Sequence, residues 1–156
     1  MASWRESASP QAQDDLGLLL SSVIPFAMHM LVCQGELFPF GASVRLNGES
    51  RLIGGDPGSD ERPWHTDVVE HLVEVFRSTR NDLRATAIVS ALDSSDANAL
   101  RVDLEHSEGL AMQVVLPYVR KRRGLGLEYR PPEASIGRRV VWPDCSGRPD
   151  PAIPGA

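Results

Sequence analysis

Eighteen consecutive residues, Leu16 to Cys33 (LGLLLSSVIPFAMHMLVC), contain no Asp, Glu, Lys or Arg. A stretch of that length is either the buried helix of a core, a membrane span or an export leader. Pro25 and His29 interrupt it, and Asp14, Asp15 and Glu36 flank it with acid, whereas a leader wants a basic start and a span wants basic cytoplasmic flanks. The expectation is therefore a core helix in a cytoplasmic protein with no membrane partner. Asp14 and Asp15 favour the positive end of the helix dipole and predict its start, after a mobile polar lead-in over 1–13. The helix should run to about Gln34, stop at Gly35 and bend at Pro25, whose ring removes a donor and crowds the preceding turn.

The pattern then changes period. From Leu37 to Leu46, Phe38, Phe40, Ala42, Val44 and Leu46 alternate with Ser43, Arg45 and Asn47, as in a strand with one buried face. Asn47-Gly48 predicts a two-residue hairpin turn, because both residues tolerate positive φ, and a second strand follows near 49–54. Residues 54–62 (GGDPGSDER) read as a loop. Val68, Val69, Leu72, Val73 and Phe76 recur at helical spacing between Pro63 and Arg80, opposite Asp67, Glu70, His71, Glu74 and Arg77. Strands follow at 83–92, 100–106 and 110–119, with a further short pairing segment at 126–130. The expected fold is α+β, a five-stranded antiparallel sheet with two helices in the order α-ββ-α-βββ. Residues 14–130 form its single domain, and 131–156 form a Pro-rich extended arm anchored by Ile136, Val140, Val141 and Trp142.

A chain of 156 residues is large enough for one core without disulfides or a structural metal. The net charge of −5 argues against a general nucleic-acid binder. Positive charge is concentrated late: eight basic residues stand against four acidic ones from Leu110 onward. Cys33 and Cys145 are too far apart and too differently placed to suggest a disulfide framework or a metal pair.

The element order over Asp14 to Val119 resembles the roadblock and longin type of scaffold in the profilin-like group. That resemblance implies a five-stranded sheet carrying helices, adaptor or dimerisation roles, and pairing of subunits. Gly35-Glu36-Leu37-Phe38-Pro39-Phe40-Gly41, with Leu104-Glu105-His106, also resembles an uncharacterised family of small bacterial proteins that share a Gly-Glu-aromatic-x-Pro-Phe-Gly stretch. No activity is implied by that second likeness.

The chain contains no nucleophile elbow, phosphate loop or dinucleotide turn, so no catalytic residue, cofactor or metal site is expected. His65, Asp67, Glu70 and His71 could ligate a metal, but His65 and His71 project in different directions from a helix, which makes a solvated face the better account. His29 and His106 suit buried neutral imidazoles, and Glu105 and His106 should point to opposite sides of a strand. Glu36, Phe38 and Phe40, joined in the fold by Glu105 and His106, make up the one candidate ligand pocket, with Glu36 as its acid or base. Arg120, Lys121, Arg122 and Arg123 form a basic hairpin tip suited to an acidic protein partner. The leading expectation is a non-catalytic, homodimeric protein-interaction module: an adaptor, regulator or toxin-neutralising partner. A small enzyme or ligand-binding domain built on the Glu36 pocket is the alternative.

Overall fold

Helix α1 spans Pro10–Gln34, four residues longer at its start than the acidic pair predicts. Ser9 is the cap: its hydroxyl accepts the Ala12 N–H at 3.1 Å and its carbonyl accepts the Gln13 N–H at 2.9 Å. Pro10 then occupies the first helical position, where its missing donor costs nothing. The computed structural model describes residues 9–34, 37–54, 65–93, 98–120 and 127–143. Glu36, Lys121, Arg122, Arg123 and Cys145 lie outside the described residues, as does the Arg120 side chain.

Strands β1 (Phe40–Arg45) and β2 (Ser50–Gly54) form the first hairpin. Arg45 donates its N–H to Glu49 at 2.8 Å, so the loop has three residues, Leu46-Asn47-Gly48, rather than two. Gly48 has a φ of 88°, and no other residue than glycine has positive φ among the described residues. One left-handed glycine after an ordinary turn is the usual three-residue solution, so Asn47 instead uses its side chain to accept the Glu49 N–H at 2.9 Å. Leu46, expected on the buried side, is displaced into this turn and is exposed.

Helix α2 (His65–Thr79) and a 3₁₀ turn (Arg80–Asp82) lead into β3 (Leu83–Asp93), β4 (Asn98–His106) and β5 (Leu110–Arg120). Two short strands, β6 (Leu127–Tyr129) and β7 (Glu133–Ile136), both pair with β5. The architecture is α+β with a fully antiparallel sheet in the order β2-β1-β3-β4-β5-β6, β7 lying beside β5 as well. The seven strands among the described residues exceed the expected five. The surplus is β6, expected only as a further pairing segment, and β7 from the Pro-rich arm, whose Glu-Ala-Ser-Ile run alternates polar and apolar residues but is only four residues long and follows Pro131-Pro132 directly.

The two helices lie on opposite faces of this sheet. Ala12, Leu16, Leu19, Val23, Ala27 and Leu31 make a stripe along α1 that packs on alternate residues of four strands, including Phe40, Ala42 and Val44 of β1, Val89 of β3, and Leu100, Val102 and Leu104 of β4. On the other face Val68, Leu72 and Phe76 of α2 cover Leu83 and Ile88. Phe76 lies so close over β1 that a Cβ on Gly41 would sit 2.8 Å from its ring. Only glycine lets the helix approach that closely.

The chain beyond β7 completes the α2 face. Gly137 passes directly against the backbone of Met112, where a Cβ would come within 2.8 Å, and carries the arm across the sheet. Val141 is buried in the α2 cluster, with Val140 and Trp142 packed beside it. Three of the four expected anchors thus dock, whereas Ile136 does not: it is 92% exposed at the outer edge of the sheet.

Candidate functional site

Asp15, expected to serve the helix dipole, is buried instead. It lies on the apolar stripe of α1, one turn before Leu19, and faces the end of β4. His106 Nε2 is 2.8 Å from its Oδ2, and Arg84 Nη2 of β3 is 2.6 Å from its Oδ1. The other imidazole nitrogen, Nδ1, accepts the Glu108 N–H at 3.2 Å, which assigns the proton to Nε2 and makes it the donor to Asp15. Glu108 in turn accepts the Ser9 hydroxyl at 2.8 Å. Capping residue, buried carboxylate and strand-end imidazole thus form one chain that fixes the N-terminus of α1 on the sheet.

An Asp–His pair is also the base-and-orienter half of a nucleophilic triad, but the geometry here does not suit that chemistry. His106 is 2% exposed, and both of its nitrogens are engaged. No substrate atom can reach the ring without displacing the helix start. The arrangement holds structure.

Glu105 points to the opposite face, as strand alternation requires. Its carboxylate accepts the N–H groups of Val140 and Val141 at 2.8 and 3.0 Å through Oε1, and those of Val141 and Trp142 through Oε2. Arg77 donates to the Val140 carbonyl at 2.6 Å and Arg80 to the Val141 carbonyl at 3.3 Å. A buried acid and two helix-end arginines therefore hold both polarities of the arm backbone. Charge-assisted bonds of this kind are about twice as strong as neutral ones.

Of the residues of the expected pocket, Glu36 lies outside the described residues. Phe40 is buried under α1 and meets Phe26 edge-on, with centroids 5.0 Å apart and planes at 72°. Glu105 and His106 face away from each other, each already satisfied. Glu70 and His71 are exposed on α2, and no group of three metal-ligating side chains occurs among the described residues. His29, expected to be buried, is exposed and lies 3.5 Å from the Cys33 sulfur through Nε2.

Among the described residues, two surfaces stand out. The first is the outer side of α1, where Leu18, Pro25, His29 and Val32 follow one another at helical spacing. Leu18 is 38% and Val32 55% exposed, and only 28% of the helix's most apolar stretch is buried. The helix is long and apolar enough to cross a membrane by length and composition. The second is a cavity of about 270 Å³ between the β1–β2 hairpin and the end of α2, lined by Ser43, Arg45, Arg51, Ile53, Thr79 and Asp82 among others.

One carboxyl outside these surfaces titrates abnormally. Asp103 on β4 is held above the ordinary aspartate range by burial, which outweighs the opposing pull of Arg101, whose Nε is 3.0 Å from Asp103 Oδ2. Comparison with family models, with curated proteins and with solved structures found no match to this chain.

Proposed function

We propose that this protein is a non-catalytic interaction module of the cytoplasm that self-associates through the outer side of α1. The observation that carries the reading is the uncharged, uncovered stripe of Leu18, Pro25 and Val32 on a helix whose inner side is already saturated with core contacts. A second copy suits this stripe. Two chains of net charge −5 repel, yet between Leu16 and Cys33 there is no Asp, Glu, Lys or Arg, so the stripes can meet while the charged bodies stay apart. A two-fold contact needs one self-complementary patch, which a continuous apolar stripe supplies. The engaged states of Glu105 and His106 support the non-catalytic half of the reading.

Sedimentation equilibrium over a dilution series tests it. The expected result is a dimer that dissociates on dilution; a single monomeric species at every concentration overturns the proposal, and recovery of the native protein in carbonate-washed membranes replaces the second copy by lipid.

A further inference from the structure

Backbone hydrogen bonding in the first hairpin leaves one sheet edge open. Because Arg45 donates to Glu49, the pairs 45–49, 43–51 and 41–53 are the hydrogen-bonded ones, and Arg51 and Ile53 spend their backbone groups on β1. Ser50 and Leu52 then direct their N–H and C=O groups outward. β2 ends the strand order, and Ser50, Arg51, Leu52 and Gly54 are all exposed. The opposite edge differs: Pro131 and Pro132 stand between β6 and β7, with Glu128, Arg130 and Glu133 around them, the charged and proline-bearing composition that blocks strand addition. β2 has no proline and one charge, Arg51.

That charge has a companion. Arg51 lies opposite Ser43 on the α2 face, and Arg45, two residues along β1, lines the same cavity. The ion pairs of the described residues involve Arg84, Arg101 and His106, and neither Arg45 nor Arg51 joins one. Among the described residues that line the cavity, Arg45 and Arg51 outnumber the one acid, Asp82, while Glu49 stands opposite Arg45 at the hairpin end.

We infer that β2 is a docking edge for an extended acidic peptide, which adds to the sheet as a strand and places a carboxylate against Arg51 and Arg45. A strand added antiparallel would bond to Ser50 and Leu52 and set its intervening residue opposite Arg51 in a non-hydrogen-bonded pair, where side chains approach most closely. Main-chain bonds would supply affinity and the guanidinium pair selectivity for acid. This surface is separate from the α1 stripe, so either assignment can fail without the other.

Fluorescence anisotropy with a labelled peptide alternating Glu and Thr, and with its Lys–Thr counterpart, tests the assignment. The expected result is saturable binding of the Glu peptide alone, weakening as salt rises. Arg51→Glu removes the charge and Leu52→Pro removes an outward N–H without touching the β1–β2 ladder; each should weaken binding about tenfold or more. The denaturation midpoint confirms that each variant is folded, and exposed Arg51→Glu secures the test should Leu52→Pro prove unstable. No saturable binding of the Glu peptide, equal binding of the Lys peptide, or affinity unchanged in Arg51→Glu overturns the inference. Loss of a wild-type dimer in folded Leu52→Pro also overturns it, assigning the edge to a second copy.

Discussion

Helices α1 and α2 both lie on the sheet with an apolar inner stripe, but their outer sides are opposites. On α2 the outward residues are Glu70, His71, Glu74, Arg77 and Ser78, an ordinary solvated face. On α1 they are Leu18, Ser21, Pro25, His29 and Val32, without a full charge after Asp14. A sheet face needs covering once, so the second apolar side of α1 is not required by the fold. The proposed self-association rests on this difference.

The inner sides should be costly to disturb in both helices. Phe76→Ala leaves a void over Gly41 and Ile88 and should cost about 3–5 kcal/mol, and Leu19→Ala about 2–5 kcal/mol, read from chemical denaturation. A loss below ~1 kcal/mol at either would place the core elsewhere. Asp15→Ala comes next, because it strands a buried His106 and the inward end of Arg84; a loss of about 3 kcal/mol is expected. Asp15→Asn, which keeps one acceptor, should lose less, and equal losses would argue that the pair contributes little.

The clasp over α2 behaves differently, since an arm can leave without unfolding the sheet. Glu105→Gln replaces two carboxylate oxygens by one acceptor and a donor facing backbone N–H groups, and should cost about 1–3 kcal/mol. Hydrogen exchange should show the amides of Val140, Val141 and Trp142 losing protection while those of Val102 and Val114 keep theirs. Uniform loss across both sets would make the arm part of one cooperative unit with the core.

The smallest effect belongs to Asp103. Its raised pKa means that the folded state holds the proton more tightly than the unfolded chain, so this group favours folding at low pH and its contribution falls as pH rises through its titration. The side chain is more than a third exposed and paired with Arg101, so Asp103→Asn should change stability at neutral pH by less than ~0.5 kcal/mol while steepening the acid limb of the stability–pH curve, which this group opposes. An unaltered acid limb would contradict that opposition.

What the sequence revealed tracks the range of the interactions involved. Local periodicity located both helices and the five main strands, because alternation and helical spacing are read within a few residues. Gly48 announced its turn but not the loop length, which is decided by which pair closes the hairpin. Asp15 and His106 each occupied a position on an apolar stripe, the one sign that they might be buried together; their partnership spans 91 residues and has no local signature. Glu105 carried still less signal, standing in line with Arg101 and Asp103 on the polar side of β4. The Ser9-Pro10 pair, by contrast, was a legible helix start that the more conspicuous Asp14-Asp15 overshadowed. Glu105 and His106, grouped in the expected pocket, are sent to opposite faces by strand alternation.

The comparison between the two helices is tested most directly by giving each outer side the same kind of charge change. Light scattering on the wild type, Val32→Lys and Glu74→Lys separates them, since both positions are exposed and neither change should shift stability by more than ~0.5 kcal/mol. The prediction is a dimer for the wild type and for Glu74→Lys, and a monomer for Val32→Lys. A monomeric wild type, or a dimer that survives Val32→Lys and is lost in Glu74→Lys, would contradict the account.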